Sequence, residues 1–229
     1  MNYPIHHTRR LSLSGPVGML EMLEDGPVLP EGALPRGVAV VAHPHPLFGG
    51  SMDNKVAQTL ARAFAHCGWR ALRFNFRGVG ASEGAHDHGR GELQDLLAVV
   101  DHGVSGAAGT AGAPPLPLAL AGFSFGAAVV SQALASLGAK HAPRQLVLVG
   151  AAVEHLEVAA VPKELHARTL VLHGEQDDTV PLASVLDWAR PQALPVTVIP
   201  GASHFFHGQL LLLRSLVARH LAADDAHHS

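Results

Sequence analysis

Six short, almost continuously apolar runs alternate with segments of helical periodicity along this chain, and that alternation limits the folds open to it. The runs are GVAVVAHP (37–44), WRALRFNF (69–76), LPLALAGF (116–123), RQLVLVGA (144–151), RTLVLHGE (168–175) and LPVTVIPG (194–201). A strand with one wet face alternates apolar and polar residues. Runs without that alternation belong to strands covered on both faces, as in parallel sheets. Between the first two runs, DNKVAQTLARAFAHCG reads as a helix capped by Asp53, with Val56, Leu60, Ala63, Phe64 and Cys67 on one face and Gly68 as its stop. Residues 91–103, 125–138, 182–190 and 208–222 read as further helices. The βαβα order predicts one α/β domain over residues 1–229, with an open, mostly parallel sheet and helices on both faces.

Ahead of the first run, RRLSLSG (9–15) and VGMLEML (17–23) read as an antiparallel pair added at one edge. EDGPVLPEGALPRG (24–37) is expected to be a Pro/Gly loop and GVSGAAGTAGAPPLP (103–117) a flexible connection, and neither separates two regimes of composition. With 48% hydrophobic residues the chain can fill one sizeable core. Its 16 basic and 19 acidic side chains give a net charge of −3 with no long run of either sign, which argues against nucleic acid or an anionic membrane as partner. Cys67 is the single cysteine and has no disulfide partner within the chain, so a reducing compartment is expected. No apolar stretch has the pattern of a leader or a membrane span, and the reading is a soluble, cytoplasmic protein.

One hydroxyl stands where packing alone would not ask for it. Gly122-Phe123-Ser124-Phe125-Gly126 follows an apolar strand and precedes AAVVSQALASLG, a helix with small residues. In that context G-x-S-x-G is a sharp strand-to-helix turn with the serine at its tip, and the flanking glycines permit backbone approaches that a side chain would block. The helix N-terminus behind Ser124 favours developing negative charge, and the Phe125 amide is placed to face an oxyanion. A serine hydroxyl needs a base to become a nucleophile, and the base needs an orienting acid. Later strands supply candidates for both. Asp177 follows the 168–175 run in G-x-x-D-x-x-V, with Asp178 the alternative, and His204 follows the 194–201 run in GASHFF. Each lies just past the carboxyl end of a predicted strand, where parallel sheets place their sites.

The chain resembles the lidless serine hydrolases of the α/β-hydrolase superfamily, close to the small dienelactone-hydrolase-like group. The residues that carry the resemblance are HPHPLFGGSMDNK (43–55), RFNFRGVGASEG (73–84), GFSFG (122–126), HGEQDDTVP (173–181) and GASHFF (201–206). The order Ser124, Asp177, His204 is that superfamily's order. The resemblance implies a Ser-His-Asp triad, a covalent acyl-enzyme and no cofactor. It departs from true dienelactone hydrolases in having Ser124 where they use cysteine. A second oxyanion donor is expected after the first run, where Pro44 and Pro46 have no amide hydrogen, leaving His45 or Leu47. Similarity of His43-Pro44-His45-Pro46 to the H-G-x-P turn of many α/β-hydrolases favours the His45 amide. About 18 residues separate Gly150 from Thr169, where larger relatives insert a cap, so an open site is expected.

The functional expectation is a carboxylesterase for short or medium acyl esters of small molecules. Thioesterase, lactonase or acyltransferase activity by the same chemistry, and a non-catalytic binding scaffold, are the alternatives. Phe48, Phe123, Phe125, Phe205 and Phe206 are candidates to line an acyl pocket, and exposed apolar residues beside an uncapped site could serve a homodimer contact. RGVGASEG (77–84) lacks the full dinucleotide fingerprint, and Arg77 is expected to brace its turn by pairing with Glu92 or Asp95. His43/His45 and His86/His88, with Asp87, are H-x-H pairs without a third ligand fixed by spacing, so no metal is expected.

Overall fold

The computed structural model describes residues 6–27, 29–30, 33–105, 116–138 and 141–223. Among these residues eight strands form one sheet: β1 (His6–Gly15), β2 (Gly18–Pro27), β3 (Val38–Ala42), β4 (Arg70–Phe74), β5 (Leu118–Phe123), β6 (Gln145–Val149), β7 (Thr169–Gly174) and β8 (Val196–Ile199), in the spatial order β1-β2-β4-β3-β5-β6-β7-β8. β1 and β2 pair antiparallel with each other, and β2 pairs antiparallel with β4, while every pairing from β4 to β8 is parallel. Among the described residues five α-helices, α1 (Lys55–His66), α2 (Arg90–Ser105), α3 (Phe125–Leu137), α4 (Leu182–Ala189) and α5 (Leu210–Ala223), cover the two faces. The expected α/β fold and antiparallel edge are therefore present.

The unbroken apolar runs are explained by the two faces. On β3, Val38, Val40 and Ala42 point into a core shared with α2, α3 and α4, while Ala39 and Val41 point into a second core shared with α1 and α5. β5 and β6 divide in the same way, Leu120 and Leu148 to the first core, Ala121 and Val149 to the second. Successive residues on these strands are all buried, so polar alternation is impossible there.

Strand order reverses at β3. The chain leaves β3 for β4 on one side and, after β4, crosses back over it to β5 on the other. A crevice opens at such a switch point beyond the carboxyl ends of the strands. The loops after β3 and β5 flank that crevice, and they contain HPHP and Ser124.

Two expectations are corrected. The helix after β3 is capped by Asn54, whose Oδ1 accepts from the Val56 and Ala57 amides at 2.9 and 3.4 Å, and Asp53 lies one residue outside it. β2 also runs through Glu24 and Asp25 to Pro27, into what reads as the start of a loop. These acids belong in the strand because β4 and β1 supply their partners. Asp25, 1% exposed, accepts from Arg73 Nε at 2.7 Å and from Thr8 Oγ1 at 2.6 Å. Arg73 in turn donates Nη1 to the Met52 carbonyl at 2.6 Å, fastening the segment before α1 to the sheet. Of the connection at 103–117, residues 106–115 lie outside the described residues.

Removing one partner of a buried ion pair leaves the other uncompensated in low dielectric, at a cost of about 3–5 kcal/mol. Asp25→Ala is therefore expected to lower the unfolding free energy by about that amount in urea titrations followed by circular dichroism.

Candidate active site

The turn from β5 into α3 places Ser124 at φ 57° and ψ −116°, a left-handed conformation that a non-glycine residue adopts only under constraint. The constraint comes from both sides. The Ser124 amide donates to the Val149 carbonyl on β6 at 2.8 Å, and its carbonyl accepts from the Ala127 amide at 3.0 Å. A Cβ at Gly122 would stand 2.4 Å from the Gly126 carbonyl oxygen, and one at Gly126 would stand 2.4 Å from that of Ala42. Both glycines are thus required by backbone contact.

The structure brings all three residues singled out by pattern to this point. His204 Nε2 lies 3.0 Å from Ser124 Oγ, and His204 Nδ1 lies 2.7 Å from Asp177 Oδ2. Asp177 Oδ1 accepts from the Thr179 and Val180 amides at 3.0 and 2.8 Å. Asp178 makes no such contact with His204; its carboxylate meets the Thr179 hydroxyl at 3.5 Å. Burial would raise the Asp177 pKa, but hydrogen bonds from His204 and the Val180 amide outweigh it and hold the carboxyl below its usual range. The His204 ring rests 4.9 Å from that of Phe123, and the backbone beside it is pinned by Phe206, buried at φ 52°. Gly150 leaves room for the imidazole: a Cβ there would approach His204 Cε1 to 3.2 Å.

Opposite this line of groups, the loop after β3 is built on His43. Its Nε2 accepts from the Phe76 amide at 3.1 Å, which puts the proton on Nδ1, 2.6 Å from the Pro44 carbonyl. Burial drives its pKa down to about 4 against the smaller upward pull of that carbonyl. The loop then turns through Pro46–Phe48, and the Leu47 amide is taken up by His45 Nδ1 at 3.2 Å. The amides of His45 and Phe125 have no hydrogen-bond partner among the described residues, which favours His45 over Leu47 as a free donor.

A cavity of about 170 Å³ opens over Ser124, lined by Pro44, His45, Phe48, Asn54, Thr179 and Phe205 among others. Of the five phenylalanines considered for this role, Phe48 and Phe205 line it, while Phe123, Phe125 and Phe206 are buried in the surrounding structure. Among the described residues no cap covers the opening: residues 150–168 hold turns and a short 3₁₀ helix, Lys163–Arg168.

Arg77 makes its brace with Asp95 by two side-chain bonds of 3.0 and 2.7 Å, and the Arg77 amide adds a third at 3.0 Å. Glu92 instead accepts from the Asp87 and Gly89 amides at the start of α2 and pairs with His86. Among the described residues no three His, Cys, Asp or Glu side chains are grouped to hold a metal ion, and no helix is long and apolar enough to cross a membrane. Cys67 is half-buried at the end of α1. One residue near the site escapes pattern reading. His173, wholly buried on β7, lies 3.5 Å from Asp177 Oδ2; it opens the HGEQDDTVP stretch and stands as a polar residue in an apolar run, but nothing in that pattern assigns it a role.

Comparison with known proteins places the fold in a family. The family model described as serine aminopeptidase, S33, matches residues 35–163, just over half of the chain. A lidless α/β serine hydrolase from Xanthomonas campestris is 36% identical, covers 97% of both chains and superimposes with a TM-score of 0.82. The chain belongs to the α/β-hydrolase superfamily. An α/β serine hydrolase homologue from Coxiella burnetii is likewise similar to this hydrolase, at 35% identity over 95% of this chain and 98% of that one, with a TM-score of 0.76. An uncharacterised protein of Rickettsia prowazekii is 47% identical over 64 residues, 28% of this chain, and the match spans about a quarter (27%) of that protein's length.

Unfolding lets His43 regain an ordinary pKa near 6.5, so between that value and about 4 the unfolded chain binds a proton that the folded chain refuses. Stability therefore falls as pH drops through this window, by up to about 3 kcal/mol from His43 alone. His45 and His173, also lowered mainly by burial, act with the same sign. His43→Gln is expected to be less stable at pH 7 but to lose less on acidification from 6.5 to 4 in urea titrations.

Proposed function

We propose that this hydrolase cleaves carboxylic esters with short or medium acyl chains, using Ser124 as nucleophile, His204 as general base and Asp177 as orienting acid. The observation that carries the reading is the continuous line of hydrogen bonds from Ser124 Oγ through His204 to Asp177, with the serine on a strained turn at the N-terminus of α3. As Oγ attacks the acyl carbonyl, its proton passes to His204 Nε2, and Asp177, held ionised, stabilises the imidazolium. The carbonyl oxygen becomes an oxyanion that the free amides of Phe125 and His45 receive. Collapse breaks the carbon–oxygen bond to the alcohol, which leaves with the proton from His204. Water then attacks the acyl-enzyme with His204 again as base, releasing the acid and restoring Ser124.

The cavity supports the choice of substrate. Its size, about 170 Å³, suits a small group, and Pro44, Phe48 and Phe205 give it apolar walls. Phe48 is 86% exposed, so the outer wall is open to solvent and sets no closed limit on the part of the ester that projects outward.

A fluorophosphonate probe at neutral pH is expected to modify Ser124 alone, as found by mass spectrometry of the labelled peptide, and His204→Ala should abolish labelling. Ser124→Ala is expected to lower kcat for p-nitrophenyl acetate and butyrate by at least about 10⁴-fold. Turnover surviving in Ser124→Ala, or a folded protein that resists the probe, refutes the assignment.

A further inference from the structure

His173 is a buried imidazole with no part in the bond-making steps above, and its surroundings ask why a histidine is there. It is the fifth residue of β7 and is fully enclosed, on a strand whose neighbours Val171 and Leu172 are core hydrophobes. Its Nε2 lies 2.9 Å from the Val180 carbonyl. A carbonyl only accepts, so the ring's proton is on Nε2, and Nδ1 is left as a buried acceptor with no hydrogen-bond partner among the described residues. An unpartnered buried nitrogen costs stability that an apolar side chain of the same shape would not.

What the histidine supplies in return is a donor at one place. Val180 is the residue whose amide holds Asp177 Oδ1 at 2.8 Å, and its carbonyl is the one His173 grips. The same Nε2 stands 3.5 Å from Asp177 Oδ2, the oxygen that faces His204 Nδ1 at 2.7 Å. Asp177 therefore sits between two imidazoles, with its loop closed back on β7 through Val180. The titratable groups facing His173 are Asp177 from the loop after β7 and His204 from the loop after β8.

We propose that His173 is a positioning residue for Asp177: by clamping the Val180 carbonyl through Nε2–H, with Nε2 3.5 Å from Oδ2, it fixes the carboxylate under His204 and places the positive end of its N–H dipole beside that charge. This rests on the serine-hydrolase reading. With the donor gone, the carboxylate is held less firmly and its charge falls more fully on His204, which makes the imidazolium harder to deprotonate.

The test compares wild type with His173→Phe and His173→Leu, which lack the donor, and His173→Gln, whose amide can reach the Val180 carbonyl. Circular dichroism identifies the folded variants, and p-nitrophenyl acetate hydrolysis is followed from pH 5 to 9. Expected for a folded donor-less variant is a fall in kcat of about tenfold or more with little change in KM. The acid limb of kcat/KM should also move up by about half a pH unit. His173→Gln should recover most of both. A folded Phe or Leu variant with the wild-type kcat and acid limb overturns the proposal, as does a Gln variant no better than either. Absence of turnover and of fluorophosphonate labelling in wild type itself would instead overturn the serine-hydrolase reading.

Discussion

The backbone of α3 begins almost in contact with the end of β3, and the geometry around Ser124 depends on that approach. Gly126 lies so close to the carbonyls of Ala42 and His43 that no Cβ fits between them, and Gly122 is equally close to the backbone of Gly126. This contact forces the turn to be tight enough to leave Ser124 in a left-handed conformation with its Oγ 3.0 Å from His204 Nε2. It also brings the loop after β3 beside the start of α3, so that the amides of His45 and Phe125 belong to the same small region. A looser turn would lose the serine's orientation and its neighbouring donors together.

Around that contact, buried polar groups hold the loops in place. His43 bonds to Phe76 on one side and to Pro44 on the other, Arg77 grips Asp95 beneath the start of α2, and Arg73 ties the segment before α1 to β2. Each is a charged or titratable side chain surrounded by apolar residues, tolerable there because its polar atoms find partners. The apolar sheet supplies most of the burial, while these groups specify where the connecting segments lie. Acid sensitivity follows from the same arrangement, because imidazoles enclosed as neutral rings oppose protonation.

The strands, the parallel order and the three side chains that meet at the cavity were legible because each has a local signature: unbroken apolar runs, G-x-S-x-G between a strand and a helix, and an acid and a histidine just past strand ends. The limits of β2 were not, because Glu24 and Asp25 look like turn residues until Arg73 arrives from a strand some 50 positions away (48 for Asp25). The cap of α1 was misread by one residue, since Asp53 and Asn54 are both good caps and only backbone direction chooses between them. The ambiguity of Arg77 between Glu92 and Asp95 was resolved by the pitch of α2, which turns Asp95 toward the guanidinium and Glu92 toward the amides at the helix start. His173 lay inside a recognisable motif but its role was not legible, because its partners are a backbone carbonyl and a carboxylate brought near only by the closed loop.

The position of β8 at the border of the sheet separates the behaviour of the serine from that of its partner histidine. Ser124 is anchored between two central strands, whereas the loop with His204 hangs from a four-residue strand that, among the described residues, pairs with β7 alone. Ser124 and His204 are also 80 residues apart in sequence, so their hydrogen bond closes only after the last strand has docked. Fraying at this border would part His204 from Ser124 while the two cores stay intact, and under the proposed hydrolase mechanism loss of activity would then precede any loss of secondary structure during denaturation.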